Sequence, residues 1–192
     1  VCRENFEPAT ACAVADGIGL RGSAAVYDIS NACLGVLNGM IEVANRIELG
    51  QVRAGVVVSC ETAREINEIM LARLLDGGVG MEEFAKAVAT FTGGSGAVAV
   101  LLTDGSFSGV PAHRIVGAVS EVAPEHHRLC RWGLETVDGA HQQQFMSTDS
   151  VAVMKNGVQL GHRTWGLFLE AMGWTVADVD RVICHQVGHG HQ

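Results

Sequence analysis

"YDISNACLGVLNGM", residues 27–40, places a cysteine between a short β-prone stretch and an apolar run. Leu34, Leu37, Ile41, Ala44 and Ile47 keep the i, i+3, i+4 repeat of a helix, which Gly50 closes. The run is apolar on more than one face, which predicts a buried helix. Cys33 then stands where a strand gives way to a helix. There its sulfur can lie near unsatisfied backbone N–H groups and the positive end of the helix dipole, both of which would favour a thiolate. In the same turn the Cys33 N–H is a donor for the oxyanion formed when a thioester or ester is attacked. The position suits a nucleophile, although an isolated cysteine at a helix start is more often a small packed residue.

Working outward, "PATACAVADGI" from Pro8 to about Ile18 predicts a helix with proline in its first turn. "AAVYDIS" (24–30) is β-prone, and the Val-rich "AGVVVSC" (54–60) has the continuous apolar character of a central parallel strand. A helix is expected from about Thr62 to Leu75, then a glycine-rich excursion, "DGGVGMEE". "TGGSGAVAVLLTD" (92–104) couples a glycine turn to an apolar strand, and "HRIVGAVSEVA" (113–123) reads as the next strand. Residues 124–147 lack a clean period and read as an irregular, functional loop. Ser147 or Thr148 can cap a long helix to about Met172, with Gly173 just beyond it. "VDRVICHQ" (179–186) is expected to be a buried strand carrying His185 at its carboxyl end. Strands alternating with helices predict an α/β architecture with a mainly parallel sheet and ligands beyond the carboxyl ends of its strands.

Composition narrows the function classes. The 192 residues are 48% hydrophobic and carry a formal net charge of -8, which describes a globular chain with no footprint for a phosphate backbone. Nucleic acid is therefore excluded as a partner, and an anionic substrate needs a local basic patch. No apolar run reaches membrane-spanning length and no secretory signal is evident, so a cytoplasmic protein is expected. Six cysteines (2, 12, 33, 60, 130 and 184) without paired spacing suit reduced thiols. Neither end reads as a polar, fraying terminus, so the chain reads as the interior of a longer protein.

Other residues admit chemistry. At the end of its strand, the His185 imidazole can donate to a thioester carbonyl as it becomes an enolate, or exchange a proton with Cys33; a structural histidine is the alternative. Glu7 precedes a helix start, where a dipole-complementing surface acid is the commoner use. His126, His127 and Cys130 in "HHRLC" lack a second cluster of metal-ligand spacing, so no metal is expected. "TGGSG" lacks the Lys-Ser/Thr ending of a phosphate loop and better serves a close backbone approach.

Together, "DISNACLGVLNGM", "VVVSCET", "TGGSGAVAVLLTD" and "VICHQVG" resemble the thiolase superfamily, in particular the β-ketoacyl synthase III type of condensing enzyme. "NFEPAT", "HHRLCRWG" and "FMSTDS" look most like the branch that joins two long fatty acyl thioesters head to head in bacterial olefin biosynthesis. The resemblance implies a two-half, five-layered αβαβα fold, with 1–104 from the amino-terminal half and 105–192 from the carboxy-terminal half, in a homodimer. It implies Cys33 as acyl-accepting nucleophile, His185 as the histidine of the family's His-Gln pair, and Glu7 as the base, acting across the dimer interface. The implied partners are acyl-CoA or an acyl-carrier protein, with no cofactor beyond the acyl-CoA substrate. The family's catalytic asparagine, expected beyond the histidine, lies outside these 192 residues. Two rivals stay open: a decarboxylative β-ketoacyl synthase III that uses malonyl-carrier protein, and a catalytically silent partner subunit. A hydrolase or acyltransferase on the same scaffold is a further enzymatic alternative.

Overall fold

A computed structural model describes residues 7–77, 80–107, 113–137 and 139–185. They fall into two units by contact: residues 7–62 with 95–107 and 113–115, and residues 63–77 and 80–94 with 116–137 and 139–185.

The first unit starts with helix α1, Thr10–Gly17, within the expected span, but Pro8 precedes the Ala9 cap rather than standing in the first turn. After an extended passage, a 3-10 turn over Ala32–Leu34 leads into helix α2, Gly35–Glu48. Strand β1, Ala54–Glu61, follows, and its partner β2, Gly96–Thr103, lies antiparallel, with Ala54 opposite Thr103 and Glu61 opposite Gly96. Helix α2 rests on this ribbon through two glycines. A Cβ on Gly39 would come within 2.8 Å of Val57 Cγ1, and one on Gly55 within 2.6 Å of Val43 Cγ1. Both are shorter than real Cβ contacts, so the absence of side chains at these positions sets how closely helix and strand approach. Arg53 closes the far end of the ribbon. Its carbonyl accepts from the Asp104 N–H at 2.9 Å, and its Nε donates to the Asp104 carboxylate at 3.4 Å. Hydrogen bonds from the Ser106 hydroxyl and N–H hold the Asp104 carboxyl below its ordinary pKa.

The second unit contains helix α3, Arg64–Leu75, helix α4, Met81–Ala87, a 3-10 segment over Val88–Thr92, and a hairpin of β3, Cys130–Val137, and β4, His141–Thr148. Ile66 and Met70, one turn apart on α3, meet Ala87 of α4 in a buried cluster flanked by Leu74 and Met146. Polar ties bind the same elements. Arg73 of α3 donates to Glu83 of α4 at 2.6 and 3.0 Å and to Glu135 of β3. The Glu135 bond, ahead of those to Glu83, raises the Arg73 pKa further above its usual value against the opposing effect of burial. Gln144 of β4 donates to Glu65 at 2.8 Å and accepts from the Trp132 indole at 3.2 Å. Helix α5, Ser150–Met172, ends at Gly173 in the left-handed conformation, as expected.

Several expectations are corrected. Both described ladders are antiparallel, so a mainly parallel sheet is not found among the described residues. Residues 24–30, 113–123 and 179–185 form no ladder: they have β-prone composition, but a strand exists only where another pairs with it. The last of these is exposed rather than buried, with Ile183 at 91% relative exposure. Helix α2 is half-buried, Gly39 being its one buried residue, because its described partners, β1 and β2, cover one side. "MEE" is the opening of α4, with acidic residues in its first turn where they complement the dipole. The irregular loop is instead the β3–β4 hairpin. Its Asp138-Gly139 pair is a hairpin signal, and Gly139 has φ 72°, a value at which glycine carries no Cβ penalty. The α5 cap is Asp149, whose carboxylate accepts from the Ala152 N–H at 2.9 Å; Thr148 pairs in β4 and Ser147 precedes it there.

Candidate active site

Cys33 occupies the middle of the Ala32–Leu34 turn and is exposed. Three local features place it. Ala32 has φ 43°, a left-handed backbone that non-glycine residues rarely adopt and that turns the chain sharply into the helix. The Leu34 N–H donates to the Asn31 carbonyl at 3.0 Å, and the Gly35 N–H donates to the Ala32 carbonyl. These two bonds close the turn around Cys33. Asn31 Nδ2 also donates to Asn38 Oδ1 at 2.5 Å, which ties the turn to the first full turn of α2. Through Gly39 and Gly55, α2 is in turn held against β1, so the turn that carries Cys33 leads into a supported element.

Glu7 is exposed and lies three residues before the start of α1, in the same unit as Cys33. The Asp28 carboxylate joins these two segments. Asp28 Oδ2 accepts from the Thr10 N–H at 2.9 Å, and Oδ1 accepts from the Ala11 N–H at 2.9 Å. Sequence reasoning passed over Asp28 because a cap 18 residues away leaves no local pattern. His185 is described and exposed, and it belongs to the other unit.

Two of the remaining polar candidates, His127 and Cys130, have structural partners. His127 Nδ1 is 3.0 Å from the Pro124 carbonyl, and Cys130 Sγ is 3.5 Å from Thr148 Oγ1. Among the described residues no three His, Cys, Asp or Glu side chains gather as a metal site. Of the arginines considered for a CoA phosphate, Arg3 lies outside the described residues. Arg21 pairs with Asp16 at 3.1 Å, and Arg131 lies 5.0 Å over the Phe145 ring. No described helix is long and apolar enough to cross a membrane.

No family model matches the chain. The acyl-CoA:acyl-CoA alkyltransferase of Shewanella oneidensis is 53% identical over 190 residues, which is 98% of this chain and 54% of that protein. The enzyme of the same name from Xanthomonas campestris is 33% identical over 192 residues, 100% of this chain and 54% of that protein. The chain thus spans about half the length of these curated relatives. Crystal structures of Xanthomonas campestris OleA match over the whole chain and about half of theirs. The cerulenin-bound form has a TM-score of 0.84 at 30% identity and 53% coverage of that chain. FabH of Xanthomonas oryzae matches with a TM-score of 0.84 at 32% identity, covering 100% of this chain and 54% of that one. The OleA structures include variants at a cysteine, a glutamate and a histidine, and one contains lauric acid and lauroyl-CoA. In that protein's numbering the glutamate precedes the cysteine by 26 residues, the separation between Glu7 and Cys33 here. The chain is therefore a homologue of the OleA-type acyl-CoA:acyl-CoA alkyltransferases, with the thiolase-like α/β fold they share with FabH.

Proposed function

We propose that the protein to which this chain contributes joins two long-chain fatty acyl-CoA thioesters by non-decarboxylative Claisen condensation, in olefin biosynthesis. The observation that carries this reading is the 53% identity to an acyl-CoA:acyl-CoA alkyltransferase, in an alignment long enough to include Glu7, Cys33 and His185.

In this reading the Cys33 thiolate attacks the thioester carbon of a first acyl-CoA. The Cys33 N–H supports the oxyanion, the carbon–sulfur bond to CoA breaks, and CoA leaves. A second acyl-CoA loses its α-proton to the Glu7 carboxylate of the partner subunit while His185 stabilises the enolate oxygen by hydrogen bonding. The enolate carbon attacks the acyl group on Cys33, the Cys33 sulfur leaves, and a 2-alkyl-3-ketoacyl-CoA results. Two acyl-CoA molecules thus give one product and one CoA. A condensation that begins from an unactivated acyl thioester must break a C–H bond, which is the chemical reason for a base where a decarboxylating enzyme needs none. The sequence supports Glu7 through its 26-residue separation from Cys33, and His185 through its His-Gln pair. No cofactor is required by these steps. The reading also keeps residues 1–104 and 105–192 as parts of the two thiolase halves, and includes a homodimer in the cytoplasm that takes acyl-CoA rather than an acyl-carrier protein.

The test is an intact-mass measurement on the full-length protein before and after exposure to a long-chain acyl-CoA without any malonyl donor. The expected result is an acyl adduct mapped to Cys33, absent in Cys33→Ala, together with a 2-alkyl-3-keto product. Glu7→Gln should keep the adduct and lower product formation by about a hundredfold or more. Product only when malonyl-carrier protein is supplied would establish the decarboxylative route instead. No adduct from any acyl donor would leave the silent-subunit reading.

A further inference from the structure

Helix α1 begins with a deficit that its own sequence does not meet. Its N-cap is Ala9, which has no side chain to accept a hydrogen bond, and its first turn holds no acidic residue. The first N–H groups of a helix lack intrahelical partners and sit at the positive end of its dipole, so an acceptor must come from elsewhere. Asp28 supplies it with both oxygens, one on the Thr10 N–H and one on the Ala11 N–H, each at 2.9 Å. Such paired, charge-assisted bonds fix orientation as well as distance. Asp28 is five residues before Cys33, and Thr10 is three residues after Glu7. One carboxylate therefore pins the segment that carries Glu7 to the segment that carries the nucleophile.

We propose that Asp28 is a positioning residue for the Glu7 base: by holding the first turn of α1 it sets where the Glu7 carboxylate stands, and so controls α-proton removal without taking part in acylation of Cys33. The inference rests on the reading of Glu7 as the base. If Glu7 serves the partner subunit, the same carboxylate links the base of one active site to the nucleophile turn of the other.

The test uses the full-length enzyme and separates its two half-reactions. Acylation is followed as the Cys33 adduct by mass, and α-proton removal as condensation product together with deuterium uptake at the acyl α-carbon in deuterated water. Asp28→Asn retains the shape and one good acceptor but loses the charge and the second acceptor oxygen. It should leave acylation within about threefold of the unmodified enzyme and lower condensation and deuterium uptake by about tenfold or more. Thr10→Pro attacks the same contact from the other side. Proline is accepted at the first helical position, Ala9 already has φ -53° and ψ 141° as a residue before proline requires, and the substitution removes the N–H that Asp28 Oδ2 accepts. It should reproduce the selective loss, and Asp28→Glu should recover part of it.

A double-mutant cycle gives the readout that a general structural role would not move. With Glu7→Gln already present, adding Asp28→Asn should cost no further condensation, because the group it positions is gone. Equal loss of both half-reactions, or additive losses in the cycle, would overturn the positioning role while leaving Glu7 as the base. Unchanged condensation in Glu7→Gln alone would instead remove the base assignment and this proposal with it.

Discussion

Ala32 stands directly before Cys33 with φ 43°, and this is the one described non-glycine residue in the left-handed region. An L-residue there costs about 1–2 kcal/mol, and a β-branched one more, so the conformation persists only because its surroundings impose it. Here those surroundings are the Asn31 carbonyl on the Leu34 N–H, and the Asn31–Asn38 side-chain bond. Ala32→Gly should be tolerated and raise the melting temperature slightly. Ala32→Val should lower stability by about 1–3 kcal/mol and slow formation of the Cys33 adduct, as thermal denaturation and mass-resolved acylation would register. Equal stability of the two variants would mean that the turn relaxes without cost. At this scale the sequence located Cys33 just ahead of a helix, since a cysteine between a β-prone stretch and a helical repeat is a local pattern. It was silent on Ala32 and Asp28, because a positive φ at alanine and a cap 18 residues distant are set by contacts that no local window contains.

At the scale of elements, the contact of α2 with β1 depends on two missing side chains. Gly39 and Gly55 face Val57 and Val43 across it at distances that admit no Cβ without movement. Each obstructing atom is a methyl of a β-branched residue with little rotamer freedom, so the helix or strand backbone must give way. Gly39→Ala should therefore destabilise by about 1–3 kcal/mol despite alanine's better helix propensity, read as a lower denaturant midpoint. Because α2 follows directly on the turn that holds Cys33, the proposed nucleophile, the same variant should also reduce the rate of Cys33 acylation. A Gly39→Ala protein as stable as the parent would show that the approach is looser than the geometry indicates. The helices α1, α3 and α5 were legible to within a few residues because period, proline and glycine signals are local. The β3–β4 hairpin was missed: three consecutive glutamines, Gln142, Gln143 and Gln144, make the start of β4 polar, and the short Cys130, Trp132, Leu134 alternation of β3 does not stand out beside them, although the Asp138-Gly139 pair marks the turn.

For the whole molecule, the described residues bury few apolar side chains fully: Ile66, Met70 and Ala87. Many large ones stay open, including Leu101 at 65% and Ile183 at 91% exposure, and among the described residues the β1–β2 ribbon has only two strands. Two-stranded sheets are marginal in water, and open apolar surface of this extent marks a surface that another element or subunit covers. A polypeptide of these 192 residues expressed alone should bind a hydrophobic dye strongly and self-associate, whereas the full-length protein should do neither to the same degree. Dye fluorescence and light scattering decide it, and a monodisperse, dye-silent fragment would contradict the expectation.

What the sequence by itself determined is the chemistry-bearing pattern: a cysteine placed before a helix, a glutamate 26 residues ahead of it, and segments whose order resembles a condensing enzyme, an expectation the homology to OleA-type proteins bears out at the level of fold and kinship. Such features are legible because helical period, breakers and residue identity are carried within a short window. Only the tertiary structure decided that the ladders run antiparallel, that α2 approaches β1 through paired glycines, and that Asp28 caps a helix far from it in sequence. Each of these depends on which distant segment arrives as a neighbour. Hydrogen-bond donors, sheet edges and Cβ clearances are satisfied by that neighbour rather than by adjacent residues.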